Sequence, residues 1–259
     1  MSAPGERSGN TVDDLVARLA AVRRRIAASS GGRPVTLVAV TKGFGPDVAG
    51  AAVAAGLTDL GESYVQELED KATALRPEWP SERDTEPEWP SERGAELGAV
   101  RWHFVGHVQR NKVRRAAPHV VLWHAIDRQA VGEEVARWAP GAAVLVQVNV
   151  TGEPQKGGCH PAATGALVDG LRRRGLDVRG LMAVGPSGPL SGKGGPTGPP
   201  EGSRPGFRLL AGLAGELGLT ELSMGMSSDL EVAVEEGATI VRVGQALFGP
   251  RPARGDLRR

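Results

Sequence analysis

Short apolar runs alternate with amphipathic, alanine-rich segments along most of this chain, from residue 35 to residue 243. The runs have the length and composition of buried strands, and the intervening segments carry apolar residues at helical spacing. This alternation is typical of βα units, whose strands lie parallel in one sheet. The predicted strands comprise residues 35–41, 59–62, 101–105, 120–126, 142–150, 178–184, 221–226 and 239–243.

Helices are predicted between these strands at residues 46–55, 64–75, 111–117, 128–138, 161–174, 204–217 and 229–236. A further helix at residues 11–28, with Thr11 or Asn10 as its cap, precedes the first strand. Eight strands with helices between them predict an α/β fold with a single (β/α)8 TIM barrel, and an open, doubly wound sheet is the alternative. In such a barrel the site lies where the strands end, which would bring together Lys42, Glu62, Gly106, Asn149, Ser227 and Gly244.

The whole chain, residues 1–259, is expected to form one domain, because α/β barrels often reach this length without dividing. Two segments depart from the alternation and are predicted to be flexible insertions. Residues 77–98 contain the repeat Glu78-Trp-Pro-Ser-Glu-Arg83 and Glu88-Trp-Pro-Ser-Glu-Arg93, which has no apolar face. Residues 185–206 hold eight glycines and six prolines. A disordered excursion is favoured there over a lid.

The composition excludes several classes of protein. With 31 basic and 30 acidic residues that form no stripe, nucleic acid is not the expected partner. Cys159 is the only cysteine, so neither an internal disulfide nor a cysteine zinc site is expected. The first residues include no apolar signal segment, and no run approaches the roughly 18 apolar residues of a membrane helix. These observations predict a soluble, cytoplasmic protein.

The first predicted strand runs into a lysine, and the last two run into small residues suited to anion binding. Lys42 ends the segment Val35-Thr-Leu-Val-Ala-Val-Thr-Lys42, and an amine at the mouth of a barrel can have a lowered pKa. Backbone N–H groups after strands seven and eight form the usual phosphate site of such barrels. A phosphate site with a strand-end lysine indicates pyridoxal 5′-phosphate (PLP) held as a Schiff base. A lysine that reaches out to solvent is the alternative.

Arg242 lies inside the last apolar strand, 15 residues after Ser227. Its side chain is expected at the barrel interior or mouth, while the N–H groups of Gly244 and Gln245 face an anion. An arginine beside the pyridine nitrogen would keep that nitrogen unprotonated and the ring a weak electron sink. From the residues alone, Arg242 could equally be a structural ion-pair partner and Ser227 a helix cap.

Six sequence blocks closely resemble the pyridoxal phosphate homeostasis protein family and occur in its order. They are Ala39-Val-Thr-Lys42, Gly61-Glu-Ser-Tyr-Val-Gln-Glu67, Trp102-His-Phe-Val-Gly-His-Val-Gln-Arg-Asn-Lys112, Gln147-Val-Asn-Val-Thr-Gly-Glu153 with Lys156-Gly-Gly158, Gly180-Leu-Met-Ala183 and Leu222-Ser-Met-Gly-Met-Ser-Ser-Asp229. The resemblance implies the alanine racemase N-terminal barrel, PLP as cofactor and no established catalytic activity. It also implies that Lys42 forms the Schiff base, that Arg242 faces the pyridine nitrogen, and that Ser227, Gly244 and Gln245 face the phosphate.

The chain departs from the family at two positions. Ser63 replaces the usual asparagine, which puts an amide contact near the ring in doubt. Gln245 replaces the frequent threonine or serine, so a side-chain hydroxyl contact is lost there while a backbone contact remains.

The predicted function is therefore PLP homeostasis, with the protein as a carrier or buffer that serves PLP-dependent apo-enzymes. The main alternative is a racemase-like PLP enzyme. That chemistry needs a second acid/base, which a tyrosine of another domain supplies in racemases, whereas Tyr64 is the only tyrosine here. A cofactor-free sugar-phosphate enzyme is disfavoured, because no carboxylate pair stands out beside Lys42. A monomer is expected, since the racemase dimer depends on that other domain.

Other candidate groups are given structural interpretations. His103 and His107 lack a third metal ligand, so a histidine bonded within the barrel and a histidine in solvent are favoured. The basic segment 109–115 is interpreted as a solvated helix face, and Cys159 as an incidental thiol.

Deletion of residues 79–93 should change the free energy of unfolding by less than about 0.5 kcal/mol and leave PLP uptake intact, because a polar loop buries little and loop length enters stability only logarithmically. Thermal unfolding and the visible absorbance of bound PLP measure both effects. A large fall in melting temperature would show that the repeat packs on the barrel.

Overall fold

The computed structural model describes residues 12–75, 100–186 and 201–251. Eight parallel strands, hydrogen-bonded in sequence order, form a closed barrel, and β1 pairs with β8 to complete it. The predicted (β/α)8 barrel is confirmed, and the open sheet is wrong. The strands are β1 (Thr36–Val40), β2 (Asp59–Glu62), β3 (Arg101–Phe104), β4 (Val120–Ile126), β5 (Ala143–Gln147), β6 (Asp177–Met182), β7 (Glu221–Ser223) and β8 (Ile240–Val243).

Helices surround the barrel: the first precedes β1, the last follows β8, and the others connect successive strands. They are α1 (Val12–Ser30), α2 (Pro46–Ala54), α3 (Val65–Ala74), α4 (Val113–Ala116), α5 (Gln129–Trp138), α6 (Thr164–Arg173), α7 (Arg204–Glu216), α8 (Leu230–Glu235) and α9 (Gln245–Phe248). None of the helices in the described part of the chain has the length and apolarity to cross a membrane.

Helix α1 packs across the seam where the barrel closes, against α8 and α9. Leu15, Leu19, Val22 and Ile26 recur at helical spacing and are buried, which gives α1 its apolar face. The helix is further held by Arg25, whose guanidinium forms a bidentate ion pair with Glu231 on α8. The segment ahead of the first strand is therefore part of the barrel wall.

Two strands, β5 and β7, each end three residues earlier than their apolar patterns predict. Strand β5 stops at Gln147, because Asn149 turns the chain by accepting hydrogen bonds from the N–H groups of Thr151 and Gly152. Strand β7 stops at Ser223, and Gly225 follows with a φ of 91° that glycine adopts without strain. Because both strands end early, the residues that follow them belong to the loops at the carboxyl rim.

The predicted insertions fall mostly outside the described residues. Residues 77–98 do so completely, as do Asn10 and Thr11, the expected caps of α1. The end of the second insertion, residues 201–206, is structured: Glu201–Ser203 form a 3-10 turn and α7 begins at Arg204. Ser203 is buried and donates its hydroxyl to Asp229 at 3.1 Å, so the structure ends this insertion before Glu201.

Close backbone packing between β6 and β7 explains one sequence block. Gly180 lies opposite Glu221, and a Cβ on Gly180 would lie 1.8 Å from the Glu221 carbonyl oxygen. Any side chain at position 180 therefore overlaps the backbone of the next strand. The glycine of Gly180-Leu-Met-Ala183 is required by the barrel and not by the site.

Gly180→Ala should lower the free energy of unfolding by about 2–4 kcal/mol, because the added methyl forces β6 and β7 apart. Urea denaturation measures the loss. Gly212→Ala is the matched control: this glycine lies within α7 with no atom near the added Cβ, and alanine should stabilise the helix by about 0.5–1 kcal/mol. Equal effects of the two changes would contradict this account of the packing.

Candidate functional site

Lys42 lies two residues beyond the end of β1, at the carboxyl rim of the barrel. Burial lowers the pKa of its amine, and the neighbouring cations Arg251 and Arg242 lower it further. A lowered pKa increases the fraction of unprotonated amine, which is the nucleophilic form. The structure therefore places Lys42 where the sequence predicts it, with the electrostatics of a reactive lysine.

The other lysines in the described ranges have different surroundings. Lys156 pairs with Glu153 at 2.8 Å and also donates to the Gly185 carbonyl, and Lys112 is exposed. Lys71 is fully buried in an ion pair. Among these four, Lys42 alone combines partial burial with the absence of an ion-paired carboxylate in the described structure.

The buried Lys71 supports the Lys42 segment from behind, a role that the sequence analysis missed. Its Nζ donates to the Thr41 carbonyl at 2.8 Å and to Glu62 Oε1 at 2.5 Å, and Thr41 donates its hydroxyl to the same oxygen at 2.6 Å. Glu67 accepts the N–H of Gly43 at 2.7 Å. The residues on both sides of Lys42 are thus fixed by hydrogen bonds. The detectable signal was the spacing of Val65, Leu68 and Lys71, which share the buried face of α3.

Arg242 points into the barrel interior and is almost completely buried. One terminal nitrogen donates to the Ser223 carbonyl at 2.7 Å and to its hydroxyl at 2.6 Å, and the other donates to the Ala183 carbonyl at 2.8 Å. Burial lowers its pKa to about 10, so it remains a cation at neutral pH. These bonds use three of the five N–H donors of a guanidinium, and the other two have no acceptor within the described residues.

Ser227 links the loop after β7 to the start of α9. Its hydroxyl oxygen accepts the N–H of Ala246 at 3.1 Å, which leaves the hydroxyl proton able to donate. The interpretation of Ser227 as a helix cap is wrong, because α8 begins at Leu230 with Asp229 in the cap position. The serine instead stands over the amino end of α9.

Gly244 and Gln245 begin α9 directly after β8. A Cβ on Gly244 would lie 3.0 Å from the Val40 carbonyl oxygen, so glycine allows β1 and α9 to approach closely. The first N–H groups of a helix have no intrahelical acceptor and suit an anion. A cavity of about 330 Å³ opens here, a volume typical of small-molecule sites, and its lining consists of Val40, Phe44, Gly244, Gln245, Gly249 and Arg251.

Ser63, one of the two departures from the family pattern, follows β2 at the same rim. Its hydroxyl is buried and has no hydrogen-bond partner within the described structure. A Cβ on Gly106 would lie 2.6 Å from the Ser63 backbone, so the loop after β3 packs tightly on this residue. Ser63 is therefore packed closely against the backbone at Gly106, and its hydroxyl group makes no hydrogen bond within the described structure.

His103 and His107 do not form a metal pair. His103 is buried and bonded to His124 and Asp59, whereas the His107 side chain is 56% exposed and lies 3.6 Å from Asp127. No group of three metal-binding side chains occurs in the part of the chain that the structure describes. The preferred interpretation of both histidines is confirmed, while the involvement of His124 was not anticipated.

The remaining candidates are structural. Arg115 in the basic segment 109–115 pairs with Glu69 on the surface of α3, as expected of a solvated face. Burial raises the pKa of the Cys159 thiol, which opposes formation of the reactive thiolate.

Comparison with known proteins agrees with this geometry. Residues 12–252 match the family model "Alanine racemase, N-terminal domain", which defines the class of barrel. A pyridoxal phosphate homeostasis protein of Pseudomonas aeruginosa is 37% identical over 251 residues, covering 93% of this chain and 96% of the relative. The human protein of that name is 33% identical over 239 residues, covering 83% and 76%. The chain belongs to the pyridoxal phosphate homeostasis protein family.

Solved structures show the same relationship. PipY of Synechococcus elongatus, solved with PLP bound, is 31% identical with a TM-score of 0.68, covering 91% of this chain and all of that chain. Alanine racemase from Corynebacterium glutamicum has a TM-score of 0.63 at 16% identity, covering 94% of this chain and 63% of that chain. The racemase shares the fold alone at this identity.

Lys71→Met should destabilise the protein by about 3–5 kcal/mol at pH 8, because it leaves the buried Glu62 carboxylate without its cation. Burial already raises the pKa of Glu62, and Lys71 opposes that rise. A group with a raised pKa in the folded state loses its contribution to stability as pH increases. The loss should therefore be smaller at pH 5, where a protonated Glu62 needs no partner.

Urea denaturation at both pH values tests this prediction, with Lys112→Met as the exposed control. A loss independent of pH, or no larger than that of the control, would show that the Lys71–Glu62 pair does not stabilise the rim.

Proposed function

We propose that this protein binds PLP covalently and reversibly through a Schiff base on Lys42, and that it acts in PLP homeostasis as a carrier or buffer. The observation that carries the proposal is the isolated, partly buried Lys42 amine at the rim that also holds Arg242 and the start of α9. The relatives' names and the PLP-bound PipY structure support it.

The residues present fit the cofactor's chemical groups. When bound, PLP would supply an aldehyde that condenses with an amine. Lys42 offers that amine, and the two remaining N–H donors of Arg242 suit a pyridine nitrogen, which is an acceptor when unprotonated. The hydroxyl of Ser227 and the N–H groups of Gly244 and Gln245 suit a phosphate.

A carrier is favoured over a racemase-like enzyme, because the cationic Arg242 would weaken the ring as an electron sink. Tyr64 lies between β2 and α3, in the cap position of the helix, and is half exposed to solvent. This position does not resemble a second base facing Lys42. Two further parts of the proposal are a cytoplasmic monomer and delivery of PLP to PLP-dependent apo-enzymes.

Lys42→Ala should abolish the covalent PLP adduct at this rim, since Lys71 and Lys156 are held in ion pairs. Borohydride reduction followed by peptide mass spectrometry locates the adduct, with Lys112→Ala as the control that should retain it. A pyridoxyl group found chiefly on Lys112 or Lys156 of the wild-type protein would refute the assignment.

With alanine and other amino acids, the PLP-loaded protein should show no racemase turnover above that of free PLP, because a weak electron sink without a second base does not sustain α-proton exchange. Deuterium uptake at the α-carbon in D2O, compared with the Lys42→Ala variant, measures the exchange. Rapid Lys42-dependent exchange with accumulation of the opposite enantiomer would favour the enzyme.

A further inference from the structure

A chain of buried polar side chains crosses the barrel from its amino-terminal end to Arg242. Asp59 Oδ1 lies 2.9 Å from His103 Nε2, and His103 Nδ1 lies 2.9 Å from His124 Nε2. His124 Nδ1 lies 2.8 Å from the Ser223 hydroxyl, which Arg242 contacts at 2.6 Å. Asp59 begins β2 and Ser223 ends β7, so the chain rises through the interior toward the proposed cofactor site.

With both imidazoles neutral, the chemistry of the two ends fixes the direction of every hydrogen bond. Arg242 only donates, so the Ser223 oxygen accepts from it and the single hydroxyl proton goes to His124 Nδ1. His124 then carries its proton on Nε2 and donates to His103 Nδ1. His103 likewise carries its proton on Nε2 and donates to the Asp59 carboxylate. Each donor in the chain thus meets one acceptor, with both imidazoles neutral.

The surroundings maintain the charge states of His124 and Asp59. Burial lowers the pKa of His124 well below its ordinary value, and the charge of Arg242 lowers it further, so His124 stays neutral. Burial acts to raise the pKa of Asp59, but the hydrogen bond from His103 and the charge of Arg101 outweigh it, and the pKa is lowered. An ionised Asp59 can only accept, so the hydrogen bonds could run in the opposite direction only with His103 as a cation.

Asp59 also gives the chain a connection to solvent. It lines an open cavity of about 550 Å³ on the amino-terminal side of the barrel, together with Arg23 and Arg33. The groups facing its carboxylate are His103 and Arg101 on β3 and Thr58 ahead of β2, while Arg23 and Arg33 line the same cavity. The pH and the ions of the solvent at this end of the barrel, opposite the proposed PLP site, therefore reach the Asp59 carboxylate.

We infer that Asp59, His103, His124 and Ser223 are positioning residues that orient Arg242 toward the pyridine nitrogen of PLP and couple the charge of Asp59 to cofactor binding. The inference rests on the proposed function and deepens it. Arg242 reaches the cofactor with its two remaining donors only while Ser223 and Ala183 hold the others. A reversed or broken chain would turn a lone pair of Ser223 away from Arg242 and loosen that orientation.

The direction of the chain can be measured without cofactor. Long-range ¹H–¹⁵N spectra of the wild-type protein should show both His103 and His124 as neutral rings with the proton on Nε2. A proton on Nδ1 of either ring, or a doubly protonated ring at neutral pH, would overturn the inference.

A double-mutant cycle tests the coupling to PLP. Asp59→Asn should weaken PLP affinity about five- to tenfold, the size expected for a perturbed hydrogen bond to a charged group, and should shift the pH dependence of the visible band. Asp177→Asn, an exposed carboxylate paired with Arg179 at the same end of the barrel, is the matched control and should change neither. In a Ser223→Ala background, Asp59→Asn should have no further effect, because the connection is already cut.

The coupling would be overturned if the fold-losses in PLP affinity caused by Asp59→Asn and Ser223→Ala multiply in the double variant. It would also be overturned if Asp59→Asn binds PLP as well as the Asp177→Asn control does. If Ser223→Ala does not fold, two measurements still test the inference. They are the PLP affinity of Asp59→Asn relative to Asp177→Asn and the histidine tautomers of the wild-type protein. Failure of wild-type protein to take up PLP would instead refute the proposed function and with it the coupling, while the tautomer spectra decide the direction of the chain independently.

Discussion

The buried guanidinium of Arg242 is the interaction on which the upper part of this barrel depends. A cation in an apolar interior is tolerated only when its donors are satisfied, and Arg242 finds its acceptors on the two preceding strands, at Ser223 and just after β6 at Ala183. Hydrogen bonds to charged groups contribute about 1.5–3 kcal/mol each, so the same contacts tie β6, β7 and β8 together.

Two lysines near this rim show how environment separates a structural amine from a reactive one. Lys71 is buried with Glu62 at 2.5 Å and a backbone carbonyl at 2.8 Å, so its charge is compensated. Lys42 lies one residue beyond that carbonyl, where burial and two cations disfavour its charge. Because Lys71 and Glu67 hold the flanking backbone, the position of Lys42 is set by neighbours and not by its own hydrogen bonds.

Much of this architecture could be predicted from local sequence. Strands such as β1, β4 and β5 follow from apolar runs, and the rim positions of Lys42, Ser227 and Gly244 follow from the strand ends, because a closed parallel barrel collects those ends on one face. Early strand ends such as that of β7 could not be foreseen, since the φ of Gly225 decides them and the apolar run continues past it.

The polar network within the barrel depends on contacts between residues distant in sequence. His124 and Ser223 are 99 positions apart and lie on strands three places apart in the barrel, so no local pattern relates them. The only local sign was a histidine in the otherwise apolar strand β4. The spacing of Lys71 from Val65 and Leu68 indicates the buried face of α3, but its partner Glu62 could be identified only from the fold.

The central claim is that one rim holds PLP by three of its chemical groups at once. A crystal structure of this protein with PLP tests it most directly. The account predicts continuous density from Lys42 Nζ to the cofactor, the ring nitrogen within hydrogen-bonding distance of Arg242, and the phosphate at Ser227 and the N–H groups of Gly244 and Gln245. Density for PLP on another lysine, or a phosphate away from the amino end of α9, would contradict the account.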